Sequence, residues 1–309
     1  MKKQLFIIKI LFITLIISSC KNEKSNSAAK IDETQNPLEV LLRVNLNEGD
    51  QVNFEFTANQ NINVADQKIQ QMIGTGYTFE VLQKQGTSAI IKNTYDWVQY
   101  EMSSAPKMSY DSRKGTQTGI IADIFKGMIG QSFTMKLSEK GEVSDVTGAE
   151  NIFESMMKNI EPELRSQMEA SMKGKYDAES MKSSIEQMVN IYPVYAVKVG
   201  DSWTQKIKLE SGGYPMILNS KYTVTEIKQD EVVLSADGLI RSEDGASIKN
   251  AGMEIGINLQ GSQTGNIKID LHTGLAKKGE IYQKIKGTME TMGQTMSMNI
   301  DSEILIISK

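Results

Sequence analysis

Few side chains in this sequence have the type and spacing that catalysis or metal binding requires. The 309 residues include one histidine, His272, and one cysteine, Cys20. The sequence lacks a G-x-S-x-G elbow, a phosphate-binding glycine loop, an H-E-x-x-H pair and a calcium loop. His272 lies among Asp, Thr and Gly at 270–274, which is typical of a hairpin turn. We therefore expect no metal, no cofactor and no enzymatic activity, although the 38 acidic residues leave paired-carboxylate chemistry open.

Methionine is the one enrichment that bears on binding. Many of the 18 methionines fall at helical spacing in the middle of the chain. Flexible thioethers either fill a core or line an adaptable apolar groove, and both interpretations stay open. Thioethers also bind cuprous ion, but Met296, Met298 and Ile300 alternate like an ordinary buried strand face. The candidate groove residues are Ile152, Met156, Ile160, Leu164, Met168, Met181, Ile185 and Met188.

Most of the elements that position these residues are predicted to be strands. From residue 38 onward, apolar and polar residues alternate between glycine turns, which indicates antiparallel strands with one wet face. Turns are predicted at 237–238, 244–245, 273–274 and 279. Trp97 and Trp203 are interpreted as sheet anchors, with ligand stacking as the alternative. The predicted strands are 38–46, 52–57, 77–82, 89–102, 132–137, 142–146, 202–209, 221–227, 231–239, 254–259, 266–271, 280–289 and 294–307.

Helices are predicted to interrupt the strands in the middle of the chain. Residues 119–129 form a short apolar helix pattern, and Thr147 with Glu150 fits a capping box before a longer one. Pro162 should kink that helix or begin a second, and Gly174 should end it. A third helix, capped by Asp177, should end before Pro193.

These elements predict a mainly β fold with α: a large curved antiparallel sheet or open barrel. The helices form a central hairpin, an insertion at about 147–192, packed on the concave face. Residues 37–309 are then a single α+β domain. Gly-Asp pairs that open strands at 49–50 and 200–201 leave a diverged internal duplication open.

The first 36 residues are predicted to be a targeting signal followed by a flexible tether. Lys2 and Lys3 precede an apolar run at 10–17 that is too short to span a membrane. The run ends in Ile17-Ser18-Ser19-Cys20, which resembles the lipobox of bacterial lipoproteins. The resemblance implies that residues 1–19 are a signal peptide and that Cys20 receives acyl chains such as palmitate. Residues 20–36 form the lipidated N-terminus and a polar, flexible tether.

The residues after Cys20 favour the outer membrane. Lys21 stands where an inner-membrane retention signal would have aspartate, so lipid anchoring on the periplasmic side is favoured. Glu23 lies between Lys21 and Lys24, and surface display stays open. The formal charge is −4, and without the three lysines of the signal it is about −7, which argues against nucleic acid as a partner.

Two resemblances add context. The segments 46–50, 60–72, 110–112 and 197–203 resemble a family of uncharacterised Bacteroidota lipoproteins, a domain of unknown function. In architecture only, the order of elements resembles the open-barrel lipoprotein carriers of the outer-membrane targeting pathway. We therefore expect a non-enzymatic cell-envelope lipoprotein that binds an apolar ligand (lipid, acyl chain or peptide) in a groove between sheet and helices. The alternative is a protein-interaction or structural module of an outer-membrane assembly.

Overall fold

Alternating buried and exposed residues build one large sheet. The structure, a computed structural model, describes residues 38–103, 107–172, 176–209, 215–250 and 253–309. The signal peptide, Cys20, the tether and Gly174 lie outside these residues. The strands are β1 Gln51–Val64, β2 Gln67–Gln85, β3 Ser88–Met102, β4 Met108–Asp111, β5 Ser132–Ser138, β6 Val143–Thr147, β7 Ser202–Leu209, β8 Met216–Ile227, β9 Glu231–Ser242, β10 Ser247–Asn250, β11 Met253–Asp270, β12 Ala276–Thr291 and β13 Gln294–Ser308.

The strands pair antiparallel in the order β6-β5-β3-β2-β1-β13-β12-β11-β9-β8-β7, with β4 on β3 and β10 on β11. The first and last strands are neighbours, so that Phe56 lies opposite Ile306 and Ile62 opposite Ile300. These four side chains are buried on one face, while the residues between them point the other way. The predicted class, a mainly β chain with a large open antiparallel sheet, is confirmed.

The helices are α1 Ile120–Lys126, α2 Ala149–Met157, α3 Pro162–Met172 and α4 Ala178–Val189. As predicted, Pro162 begins a helix, and the Asp177 side chain caps α4 by accepting a hydrogen bond from Ser180 N at 2.9 Å. α2 packs against α1 and β5, and α4 contacts both β6 and β7. The sheet therefore curves far enough for one helix to contact both of its end strands.

The predicted capping box is wrong. The N-cap of α2 is Gly148, with φ of 89° and no side-chain cap. Thr147 is still the last residue of β6, and its hydroxyl lies 2.7 Å from the hydroxyl of Thr134 on β5. The cross-strand hydrogen bond therefore uses the threonine that the sequence pattern assigned to the helix.

Glycines inside strands caused further errors. The predicted turns at 237–238 and 279 lie within β9 and β12, and the predicted strands 254–259 and 266–271 are one strand, β11. At Gly238 an added Cβ would lie 2.8 Å from Leu218 Cδ1, and at Gly261 it would lie 2.2 Å from the carbonyl oxygen of Lys284. These glycines permit close packing instead of turning the chain.

Residues 38–47, which we call the strap, do not form the strand that was predicted at 38–46. The strap makes one isolated bridge, between Val40 and Val197. Beyond the bridge, Val44 N donates to the carbonyl of Glu139 and Asn45 N to that of Thr273, each at 2.8 Å. Leu42 and Leu46 of the strap are buried. These buried leucines therefore pack beneath the turns at one end of the sheet, and the strap does not extend the sheet.

Candidate functional site

The two ends of the sheet meet at a helix. The order of paired strands begins at β6 and finishes at β7, and α4 contacts both of them. We call this junction the seam. Within it, Glu186 Oε1 accepts a hydrogen bond from Val143 N on β6 at 2.9 Å. On the other side, the Ser183 hydroxyl donates to the carbonyl of Lys208 on β7 at 3.2 Å. Side-chain hydrogen bonds from α4 thus stand where strand pairing would close a barrel.

The seam continues just after α4. Trp203 Nε1 donates to the carbonyl of Ile191 at 2.8 Å, and Gln205 Nε2 donates to Asn190 Oδ1 at 3.3 Å. Trp203 also packs on Tyr222 with ring centroids 5.9 Å apart. The sheet-anchor interpretation of Trp203 therefore fits its contacts: the indole attaches β7 to the segment that leaves α4.

On the inner side of the seam, α4 meets the sheet through methionine sulfur. The Tyr77 hydroxyl lies 3.0 Å from Met188 Sδ, and the Tyr95 hydroxyl lies 3.7 Å from Met181 Sδ. Burial raises the pKa of Tyr95 to about 12 and raises that of Tyr77 further. Both phenols are therefore neutral at physiological pH, and the contact between helix and sheet is uncharged and easily repacked.

The eight candidate groove residues occupy one continuous core. Six are buried and two, Leu164 and Met188, are partly buried against the same cluster. The six buried residues are Ile152, Met156, Ile160, Met168, Met181 and Ile185. The structure brings the predicted residues together, and their use as a ligand groove stays a prediction.

A row of buried polar side chains, which was not predicted from the sequence, crosses the inner face of the sheet. Strand register places Gln71 beside Gln60, Gln60 beside Ser302, Ser302 beside Gln283 and Gln283 beside Gln263. None of the five is more than 5% exposed. We call these residues the polar row. Its signal in the sequence was a glutamine at a position whose strand neighbours two residues away are apolar, as at Gln60 between Ala58 and Ile62.

A small cavity lies between the polar row and α4. It has a volume of about 20 Å³, which is room for about one water-sized group. Its polar lining consists of three amides and a phenol, and burial raises the pKa of that phenol, Tyr222, to about 12. The lining residues are Gln187 of α4, Gln263, Gln283, Tyr222, Leu209, Leu218, Ile267 and Ile281.

The other residues that drew attention in the sequence lie outside this site. His272 is in the turn at 271–273, as predicted, with its backbone N–H donating to Asp270 Oδ1 at 2.8 Å. Trp97 packs under the guanidinium of Arg113 at 4.0 Å. Arg113 Nε donates to the buried carboxylate of Asp111 at 2.9 Å, and this hydrogen bond holds the pKa of Asp111 below its usual range. Trp97 therefore belongs to a structural cluster beside β4.

The described residues contain neither a candidate membrane helix nor a candidate metal site. None of their helices has both the length and the apolar character needed to cross a membrane. In the same part of the chain, no three His, Cys, Asp or Glu side chains are grouped so that they could hold a metal ion.

Fold and site together define a class: an open antiparallel barrel whose seam is filled by a helix. The profile of a family of unknown function, DUF6263, matches residues 86–276, more than half of the chain, and the protein belongs to that family. No curated protein sequence matches the chain significantly.

Solved structures give only distant likenesses. A lipovitellin structure, described in terms of lipid–protein interactions, has a TM-score of 0.46 at 10% identity over 85% of this chain. The match covers 25% of the lipovitellin chain, so this protein spans about a quarter of that length. An outer-membrane channel of Pseudomonas putida F1 has a TM-score of 0.25 at 8% identity, covering 86% of this chain and 97% of the channel. OccK7 (OpdD) of Pseudomonas aeruginosa reaches 0.18 at 8% identity, covering 84% and 99%. At these TM-scores the likenesses carry no functional argument.

Proposed function

We propose that this protein is a non-enzymatic lipoprotein of the cell envelope that binds an apolar ligand, such as a lipid, an acyl chain or a peptide, between its sheet and its helices. One observation carries the proposal. The curved sheet encloses an apolar inner face, and α4 lies between its two end strands. Side chains of α4 form hydrogen bonds with the backbone of both strands.

The seam is the least costly place to open this fold. Neighbouring strands share ladders of backbone hydrogen bonds along their length, whereas α4 keeps its own backbone hydrogen bonds when it moves. Opening the seam breaks a few side-chain hydrogen bonds, each worth about 1 kcal/mol. It also exposes a methionine interface that can repack around a guest. A ligand that buries a comparable apolar area can restore the free energy that is lost when α4 moves away from the sheet.

Anchoring at the outer membrane is part of the same proposal. The lipobox-like Ile17-Ser18-Ser19-Cys20 supports cleavage before Cys20 and acylation of its sulfur, in a lipoprotein of the Bacteroidota type. The polar segment 20–36 then links the lipid to the strap. Lys21 favours the outer membrane, with the periplasmic face preferred and surface display as the alternative.

An exposed apolar patch lies where the tether meets the fold. The Val40–Val197 bridge holds the start of the strap against residues 194–199. Five large apolar side chains on these segments are 49–76% exposed: Leu38, Leu41, Val194, Tyr195 and Val199. Because residue 38 directly follows the segment that leads to the proposed anchor, we propose that this end of the sheet rests on the lipid surface.

Native mass spectrometry of the mature chain tests the binding proposal. We expect residues 20–309 with Cys20→Ser, purified without detergent from cells, to carry a co-purified apolar molecule that organic extraction removes. The same chain should then bind an added fluorescent apolar probe, N-phenylnaphthylamine. A mature chain that carries no adduct and takes up no probe would contradict the proposal.

Photo-crosslinking at the patch distinguishes the membrane from a protein partner. A photoreactive residue at Val194 should yield lipid adducts in intact cells. The control position is Leu239, which is 69% exposed on β9 and should yield none. A single protein adduct at Val194, with no lipid adduct, would favour the alternative function as an interaction module of an outer-membrane assembly.

A further inference from the structure

The polar row and the cavity beside it contain amide groups whose hydrogen bonds the apolar core does not complete. In the row, Gln60 Nε2 donates to Ser302 Oγ at 3.3 Å, and Gln283 Nε2 donates to Gln263 Oε1 at 3.2 Å. These hydrogen bonds are at or beyond the long end of the usual range, so the amides are held weakly by one another. The row places four glutamines at buried positions where aliphatic side chains would fit. Burying their amides costs free energy unless the amides are fully hydrogen-bonded.

Two amide atoms at the cavity have no hydrogen-bond partner among the described residues. One is an acceptor, Gln283 Oε1 on the sheet, whose residue is only 2% exposed. The other is a donor, Gln187 Nε2 on α4, and both residues line the cavity. A group that both donates and accepts, placed between them, would satisfy the two at once. A hydroxyl has that property, and its size suits the volume of about 20 Å³.

The lining also determines the charge of that group. It offers amides, a neutral phenol and aliphatic side chains, and none of the described lining residues is ionised. A carboxylate or phosphate brought here would lose its hydration without gaining a counter-charge. The cavity therefore accepts a polar group only if that group is uncharged.

We propose that this cavity is the polar subsite of the ligand site, and that the ligand is an apolar chain bearing an uncharged hydroxyl-type group. The group hydrogen-bonds to Gln283 and Gln187, while the chain lies along the apolar inner face. This inference rests on the proposed function and narrows its ligand class. Because Gln187 is on α4, closing the seam completes the subsite.

The competing explanation is that the polar row only fixes strand register and that a buried water serves the two amides. Ligand preference separates the two explanations. The mature chain with Cys20→Ser would be titrated with 1-decanol, decane and decanoate at pH 8, each displacing N-phenylnaphthylamine. We expect decanol to bind about tenfold more tightly than decane, and decanoate to bind more weakly than decanol.

Gln283→Met keeps the length of the side chain and removes the amide. It should lower decanol affinity about tenfold and leave decane affinity unchanged. Gln187→Met on the helix tests the same preference without touching the polar row, in case Gln283→Met folds poorly. Gln260→Met is the matched control, because Gln260 is an exposed glutamine on neighbouring β11 and should change neither affinity.

Equal binding of decanol and decane would overturn this inference and leave the proposed function standing. Tightest binding of decanoate would overturn it as well, as would an unchanged decanol preference in both cavity variants. If the probe binds and none of the three compounds displaces it, this inference alone is overturned, whereas a chain that does not bind the probe refutes the proposed function and this inference together.

Discussion

Asp111 holds a nearly buried carboxylate at the end of β4, where Arg113 Nε donates to Oδ1 at 2.9 Å and Lys114 Nζ lies 3.5 Å from Oδ2. We expect Asp111→Asn to lower the free energy of unfolding by about 2 kcal/mol at pH 7, because it removes charge-assisted hydrogen bonds. The folded pKa of this carboxyl is depressed, chiefly by the Arg113 hydrogen bond. Its stabilisation is therefore present above the ordinary aspartate range, near pH 4, and is lost as the pH falls through the lower folded value.

Urea unfolding of the wild type and of Asp111→Asn at pH 7 and pH 3 measures the difference in their free energies of unfolding. The difference between wild type and variant should shrink at pH 3. Asp244→Asn is the control, since the Asp244 side chain is fully exposed and should change stability by much less. A difference that stays constant between the two pH values would show that the charge of Asp111 contributes nothing.

His272 gives a prediction of the opposite kind. Its side chain is 75% exposed, and its ring Nε2 lies 3.2 Å from Asp230 Oδ1 on a neighbouring turn. We expect His272→Gln to leave probe binding and thermal stability within error of wild type. Loss of binding or of a cellular phenotype by a correctly folded variant would instead make the histidine functional and reopen an enzymatic role.

At the scale of elements, the helices should be more mobile than the strands. We expect backbone amides in residues 149–192 to exchange with solvent faster than those of β1, β12 and β13, which have paired strands on both sides. Binding of an apolar ligand should slow the exchange in the helices. Hydrogen exchange followed by mass spectrometry measures both. Helices as protected as the central strands would mean that they are permanent core.

Glu186 ties α4 to the end strand β6. Glu186→Ala removes the acceptor for Val143 N, so we expect faster exchange in β6 and α4 and a loss of about 1 kcal/mol in the free energy of unfolding. Glu179→Ala, at the exposed start of the same helix, is the control and should leave β6 unaffected. Equal exchange of β6 in the two variants would argue against the seam as a weak point.

Much of the sheet was predictable because period-two alternation directly reports a half-buried strand. β7 has the predicted bounds, 202–209, and β13 differs by one residue. One kind of error came from glycine. Gly238 looked like part of a turn because a sequence cannot show that a side chain of the neighbouring strand needs the space of the missing Cβ.

The candidate site was predictable only in its apolar half. Helical spacing identified the methionines and aliphatic residues that the structure groups together. The polar row depends on the register of five separate strands, and the seam depends on which strands end the sheet. Both are properties of long-range pairing, which a single sequence does not display.

At the scale of the whole molecule, the proposed lipid anchor on Cys20 predicts where the protein is found in the cell. We expect Cys20→Ala to yield uncleaved or released protein that is no longer labelled by radioactive palmitate, because no other cysteine is available for acylation. Fractionation of cells and fatty-acid labelling measure this. Acyl labelling that persists in the variant would contradict anchoring at this residue.

If Cys20 carries the proposed anchor, force on the lipid enters the folded domain through the strap. A pull on the chain ahead of residue 38 first loads the paired hydrogen bonds of Val40 and Val197, then the bond from Val44 to Glu139 and that from Asn45 to Thr273. Because these contacts follow one another along the chain, they can break one at a time. β1, in contrast, is bonded along both edges, to β2 and β13, and has to be sheared as a whole. Fully extended, the ten residues of the strap span at most about 35 Å. A pull on the proposed lipid anchor would therefore peel the strap from the fold before it shears β1 from its neighbours.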